Sequence, residues 1–341
     1  MKFKSEYKSK TTVQLLAGIL LLVCNLCITS AHASMSSGRD NFGRTVANLM
    51  TFTFNNSSGA CSDEPLYECR GLMVSAFEND EYHPDPLYWA RSGDEINKLS
   101  MTFIYKDNKP LLFDTGGFVM WPEDYVDSTL SHYGTPFKPV YRCAYPFDGG
   151  TGGTFDVPEI TGDRSDHGCG ERFGDPDTAK CRSLGITSVE QWWDKYKDDV
   201  AGPSCAFDLT QSDAKQVFDV TLGIRKKYQT ETGTPDSAMM WNEVILQAWK
   251  DDAPSHVPVM AFFILDSDSA SKLNAVMGKQ KRAFLTVSPE TVRTVQEKYY
   301  ELTKIFVPII TISGWTDNAT FTYNPSEQSA SIPETVNVLP E

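Results

Sequence analysis

Arg70, the pair Ser100 and Thr102, and Glu243 bring cationic, hydroxyl and carboxylate groups in an order that suggests a reactive site. Arg70 heads one apolar run, Ser100-Met101-Thr102 lies within a second, and Glu243 opens a third, Glu243-Val244-Ile245-Leu246. A carboxylate fixed in place stabilises positive charge as it develops on a reacting centre. Hydroxyls on a neighbouring strand can brace such a site, and a guanidinium can hold an anionic part of a ligand. Taken singly, each piece is an ordinary feature of a strand, so the weight lies in their combination.

Other patterns carry less. Leu111-Leu112-Phe113-Asp114-Thr115-Gly116 looks like half of an aspartic-protease site, where two carboxylates must share one proton. No second Asp-Thr-Gly or Asp-Ser-Gly exists, and Gly117 stands where that family uses Ser, Thr or Ala, so the segment reads as a hairpin turn. A Ser/His/Asp or Cys/His nucleophile needs a histidine, and beyond residue 33 only His83, His132, His167 and His256 occur, none beside a Gly-x-Ser-x-Gly elbow. Ser269-Ala270-Ser271-Lys272 matches Ser-x-x-Lys, a pattern of common residues that reads as a solvated helix start. The glycine-rich stretch 149–153 lacks the strand-then-helix setting of a phosphate loop. Arg164 and Asp166 beside Cys169 read as a loop ion pair.

The candidate residues need strands to position them. Short apolar or alternating runs bounded by Asp, Gly and Pro predict strands over 71–77, 99–105, 118–121 and 139–144, then 243–246, 257–265, 306–313 and 320–323. Helical spacing predicts helices over 40–50, with Phe42, Val46, Leu49 and Met50 on one side, and over 211–228, with Val217, Phe218 and Leu222 as its core face. Thr187 to Glu190 has capping-box spacing ahead of Trp192, Trp193 and Tyr196, and Ser288-Pro289 launches a helix through about residue 303. The sum is an α+β single domain, with antiparallel sheets at both ends of the chain and helices inserted between the N- and C-terminal strand groups.

Lys2, Lys4, Lys8 and Lys10 precede an apolar run over 13–28 that ends in Ala31-His32-Ala33, the order of a cleavable signal peptide. The run is interrupted by Gln14, Gly18 and Asn25 and is too short to span a bilayer stably, so residues 1–33 are expected to be removed, leaving 34–341 secreted with no membrane partner. Losing four lysines and one glutamate moves the formal charge from −14 to −17 over 308 residues. With no dense Lys/Arg block remaining, nucleic acid is a poor partner. Cys61, Cys69, Cys143, Cys169, Cys181 and Cys205 remain, an even set that reads as three disulfides. Fifteen pairings are open on paper, and Cys61 with Cys69 would close a short loop. The one Cys-x-x-Cys, Cys24 to Cys27, lies inside the signal, so no spacing in the remaining chain suggests a metal site. The termini, 34–39 and 324–341, look loose, leaving an ordered core of about 40–323.

The order Arg, Ser-x-Ser/Thr, Glu resembles that of ADP-ribosyl-transferring toxins. The resemblance implies an NAD-binding cleft between two sheets, with Arg70 on phosphate or ribose, Ser100 and Thr102 bracing the cleft, and Glu243 facing the nicotinamide ribose. Phe103 or Trp249 could supply a stacking face for a ring. Breaking the nicotinamide-ribose bond builds oxocarbenium character on the sugar, which a carboxylate stabilises. Across most of residues 40–323, Tyr67-Glu68-Cys69-Arg70-Gly71, the run from Cys143 to Asp148, Arg164 to Gly170, Gly185 to Ser188, and the segments from Trp241 and from Ala261 resemble the halovibrin family. Those are exported bacterial proteins regarded as NAD-glycohydrolases or ADP-ribosyltransferases. What this implies is a secreted toxin-like enzyme that takes NAD as substrate with no other cofactor, and that could meet a target or immunity protein. Many protein-modifying members place Glu or Gln two residues before the catalytic glutamate. Trp241 stands there in this chain, which favours water as the acceptor and hence a glycohydrolase. The alternative is a non-catalytic, disulfide-stabilised binding or effector protein in which Ser100, Thr102 and Glu243 are structural.

Overall fold

Alternation in the central apolar runs organises the molecule around a sheet. The computed structural model describes residues 36–61, 64–77, 86–90, 99–110, 115–122, 140–147, 180–198, 200, 204–210, 212–233, 241–247, 257–278, 287–315 and 318–338. Among them the strands are β1 (Ser36–Gly38), β2 (Leu72–Ala76), β3 (Leu99–Ile104), β4 (Gly116–Met120), β5 (Tyr141–Tyr145), β6 (Phe207–Asp208), β7 (Glu243–Leu246), β8 (Val259–Leu265), β9 (Ile309–Ser313), β10 (Thr320–Tyr323) and β11 (Thr335–Asn337). The helices are α1 (Arg39–Asn56), α2 (Leu66–Arg70), α3 (Val189–Tyr196), α4 (Ala214–Thr232), α5 (Ser267–Gly278) and α6 (Pro289–Thr303). The class is α+β, but the two strand groups merge into one nine-stranded sheet of order β10-β9-β8-β4-β2-β3-β7-β5-β6. Only β8 and β9 run parallel within it. No helix among the described residues is long and apolar enough to cross a membrane.

Each face of the sheet has its own core. Phe42, Val46, Met50 and Phe54 recur at helical intervals along α1 and are buried with Leu72, Val74, Ile104, Val119, Phe263 and Ile310. On the opposite face, Phe218 and Leu222 of α4, Trp192 of α3 and Val292 and Val295 of α6 pack against Leu99, Met101, Phe103, Phe118 and Phe262. Side chains alternate across a strand, so with Leu99, Met101 and Phe103 under α4, Ser100 and Thr102 face the α1 side.

Local signals set several element ends. Gly71 joins α2 to β2 with φ at 79°, and a Cβ there would sit 2.2 Å from the Ile104 carbonyl, so only glycine fits. At Gly117 a Cβ would lie 2.0 Å from the Ser75 carbonyl, which explains glycine where β4 meets β2. The capping box sits one residue beyond the predicted start. Ser188 Oγ accepts from Gln191 N at 3.3 Å, and Gln191 Oε1 accepts from Ser188 N at 3.1 Å, because glutamine closes the box as well as glutamate does. Ser288 caps α6 with Pro289 in its first turn, as predicted.

The described residues near the ends, 36–39 and 324–338, differ from the expectation of looseness. β1 pairs with β11, and Ile332, Val336 and Val338 are buried. The Arg39 guanidinium donates to the carbonyls of Ser329 at 3.0 Å and Ile332 at 2.9 Å and reaches Glu334 Oε1 at 2.7 Å. Gln328 pairs its side-chain amide with both backbone groups of Ile309, at 2.8 and 2.9 Å. Polar side chains therefore do the packing that the sparse apolar residues could not. Two disulfides, Cys61–Cys69 and Cys181–Cys205, are in place, and Cys143 is also disulfide-bonded. Cys169, the signal region 1–33 and the turn at 111–114 lie outside the described residues.

Two carboxylates make the fold sensitive to acid. Burial pushes the Asp266 carboxyl up, but hydrogen bonds from Ser269 at the start of α5 and from Ser313, with nearby Lys272, outweigh it and hold its pKa below the ordinary value. Asp208 is likewise pushed up by burial and brought below the ordinary value by Thr210 and Lys180. A carboxyl with a depressed folded-state pKa adds stability that is present above the unfolded pKa and lost as pH falls through the folded one. Asp266→Asn should therefore flatten the fall of the thermal midpoint below about pH 4 relative to wild type. Thermal unfolding across a pH series measures this.

Candidate functional site

Glu243 enters the sheet between two partners. On one side β7 runs antiparallel to β3, pairing Leu99 with Leu246, Ser100 with Ile245 and Met101 with Val244. One further step in that register sets Thr102 opposite Glu243. On the other side Tyr145 of β5 pairs directly with Glu243. Opposed residues share a face, so Thr102, Glu243 and Tyr145 form a row, with Ser100 on the same face one pair along β3.

Ser100 Oγ donates to Glu243 Oε1 at 2.9 Å. Glu243 is only 1 % exposed, and a carboxylate so deeply placed needs hydrogen bonds to remain charged. Thr102 is fully buried, and its Oγ1 has no hydrogen-bond partner among the described residues. A buried hydroxyl left unpaired costs about 1–3 kcal/mol. Thr102→Val, which keeps the shape and removes the hydroxyl, should raise the unfolding free energy by about 1 kcal/mol in urea titrations. A loss of stability would mean that the hydroxyl is already satisfied.

The alternation that joins Ser100, Thr102 and Glu243 separates them from two other candidates. Phe103 is fully buried under α4, its ring set edge-on to Phe218 at 6.1 Å, with the Arg225 guanidinium 6.0 Å from its centre. Its faces are taken up by protein, which removes it as a stacking surface. Arg70 is 1 % exposed on that same side, 5.6 Å over the Phe218 ring, donating to Gly71 O at 3.0 Å and the Tyr141 hydroxyl at 3.1 Å. It staples α2 to α4 and β5 and does not share a face with Glu243. Trp249 lies outside the described residues, as do all four histidines beyond residue 33. The four strands β2, β3, β7 and β5 form one continuous sheet at this point, and Ser100, Thr102 and Glu243 occupy one of its faces.

Two residues of this neighbourhood escape sequence reasoning. Tyr145, 3 % exposed, is placed beside Glu243 by a strand pairing that no local pattern specifies. Asn242, wholly buried, accepts from Phe103 N at 3.0 Å through Oδ1 and donates to Phe103 O at 3.1 Å through Nδ2. Its only sequence signal is an amide side chain at the mouth of an apolar strand. Among the described residues no group of three or more His, Cys, Asp or Glu is arranged to hold a metal ion. No family model matches this chain, and no curated protein matches it.

Proposed function

We propose that the protein is a secreted enzyme that cleaves NAD into nicotinamide and ADP-ribose, with Glu243 as the charged group at the reacting sugar. The observation that carries this reading is the Ser100 Oγ to Glu243 Oε1 hydrogen bond at 2.9 Å, on a face where the Thr102 hydroxyl is buried. A carboxylate removed from water and oriented by a hydroxyl on the next strand acts strongly on a developing cation, because no solvent must reorganise as the charge appears. The bond between nicotinamide nitrogen and ribose C1′ breaks with its electron pair leaving on neutral nicotinamide. The oxocarbenium ion that remains is stabilised by Glu243, takes up water at C1′, and loses a proton to give ADP-ribose.

Ser100 orients the carboxylate, and Thr102 braces the strand beside it. Trp241 brings neither carboxylate nor amide to the position two residues before Glu243, which supports water as acceptor over a protein side chain. The disulfides and the charge, apolar and Ala-x-Ala order of residues 1–33 support action outside the cytoplasm, as does the likeness to the halovibrin family. Incubating the purified, oxidised protein with the etheno analogue of NAD tests the proposal. A fluorescence rise with matching nicotinamide release is expected, and an intact analogue would favour the non-catalytic binding protein instead.

A further inference from the structure

The ladder between β3 and β7 ends in an unusual way. Its last backbone pair joins Met101 to Val244, and the next place inward of the same kind sets Phe103 against residue 242. There the Asn242 side chain, not its backbone, makes both bonds, accepting from Phe103 N at 3.0 Å and donating to Phe103 O at 3.1 Å. A primary amide carries the donor and acceptor of a peptide group, so it can stand in for one. The backbone of Asn242 is thereby set back from β3 by the reach of its own side chain. The chain enters β7 at an angle fixed one residue before Glu243.

Asparagine alone meets the geometry. Glutamine is a methylene longer, aspartate in its charged form has no donor for Phe103 O, and an aliphatic residue would leave Phe103 N–H buried and unpaired. The clamp is itself anchored, because Asn108 Nδ2 also donates to Phe103 O at 2.9 Å while its Oδ1 accepts from Arg225 Nε at 2.8 Å. Phe103 O thus receives two donors, and the strand carrying Ser100 and Thr102 is tied at the point where Glu243 must be aimed.

We propose that Asn242 is a positioning residue: its amide clamp on Phe103 aims the Glu243 carboxylate at the Ser100 hydroxyl and sets its direction toward the bound sugar. This rests on Glu243 being the reacting carboxylate. The test compares wild type, Asn242→Asp and Asn242→Ala as full-length oxidised proteins. NAD cleavage is followed from pH 4 to 9, and the Glu243 side-chain carbon is titrated by NMR with labelled glutamate. At neutral pH Asn242→Asp should lose about 100-fold in kcat with KM nearly unchanged, the scale of a small misplacement of a reacting group. Relative to wild type at the same pH, activity should return as pH falls, because a protonated aspartic acid again offers one donor and one acceptor to Phe103, while the loss of charge on Glu243 affects both proteins alike. A variant whose loss merely follows its melting temperature, with no recovery in acid relative to wild type, would overturn the proposal.

If wild type leaves NAD intact, the reading of Glu243 fails and the clamp is judged by the titration alone. A Glu243 titration displaced in both variants would uphold it, and one identical to wild type would overturn it. Should Asn242→Ala not fold, the isosteric Asn242→Asp prepared in acid carries the test.

Discussion

Glu243→Gln is expected to reduce nicotinamide release from NAD by about 10²–10³-fold, the loss seen when one preorganised charge-stabilising group is removed from an active site. Glutamine keeps the shape of the side chain and its Oε1, so the hydrogen bond from Ser100, 2.9 Å in the parent protein, can persist. What disappears is the negative charge. In the proposed reaction that charge matters in the transition state, where the ribose would be cationic, more than in the bound substrate, so kcat should fall while KM moves little. Stability should hold or rise, since a neutral amide is cheaper to bury than a carboxylate at 1 % exposure. Steady-state kinetics and thermal unfolding of the same preparation separate loss of chemistry from loss of fold. Undiminished turnover in the Glu243→Gln protein would remove Glu243 from the reaction.

The second large effect is expected at Arg225→Ala, which should destabilise the fold by about 3–5 kcal/mol, measured by urea unfolding. Arg225 is 2 % exposed. Its Nε and Nη2 reach Asn108 Oδ1 at 2.8 and 2.6 Å, and its Nη1 reaches Pro146 O at 2.7 Å. The guanidinium also lies 5.3 Å from the Phe147 ring centre. Alanine would leave two buried acceptors short of donors and a cavity between α4 and the sheet. Burial lowers the Arg225 pKa to about 10, with Tyr105 acting the other way. A base whose folded pKa is depressed favours the unfolded state while it is charged, so the charge itself opposes folding below that pH. The contribution of Arg225 therefore comes from its forked donors and its packing. Arg225→Lys, which keeps charge but cannot fork to Asn108 and Pro146, should recover little of the loss. Full recovery with lysine would show that charge, not geometry, is what the site requires.

Much of the fold is legible in the sequence because its strands are short apolar or alternating runs with clear boundaries. The strands at 72–76, 99–104, 243–246 and 259–265 fall within or beside the predicted runs, and Ser288-Pro289 marks the start of α6. The grouping of Ser100 with Thr102 is also legible, since residues two apart on a strand share a face. The same parity bears on Phe103: adjacent to Thr102, it must turn to the opposite face, where α4 buries it. Pairing over long sequence separations is what local pattern does not contain. Tyr145 beside Glu243, β1 with β11, and Arg70 over Phe218 each depend on which distant segments meet. Side chains that imitate backbone, Asn242 on Phe103 and Gln328 on Ile309, are invisible for a related reason: a buried amide looks in sequence like any polar residue at an element end.

A structure of the Glu243→Gln protein, oxidised and soaked with intact NAD, would decide whether this face holds the reacting sugar. The nicotinamide ribose is expected within about 3 Å of the substituted side chain. NAD bound elsewhere on the protein, or no binding at millimolar concentration, would contradict the assignment of Glu243.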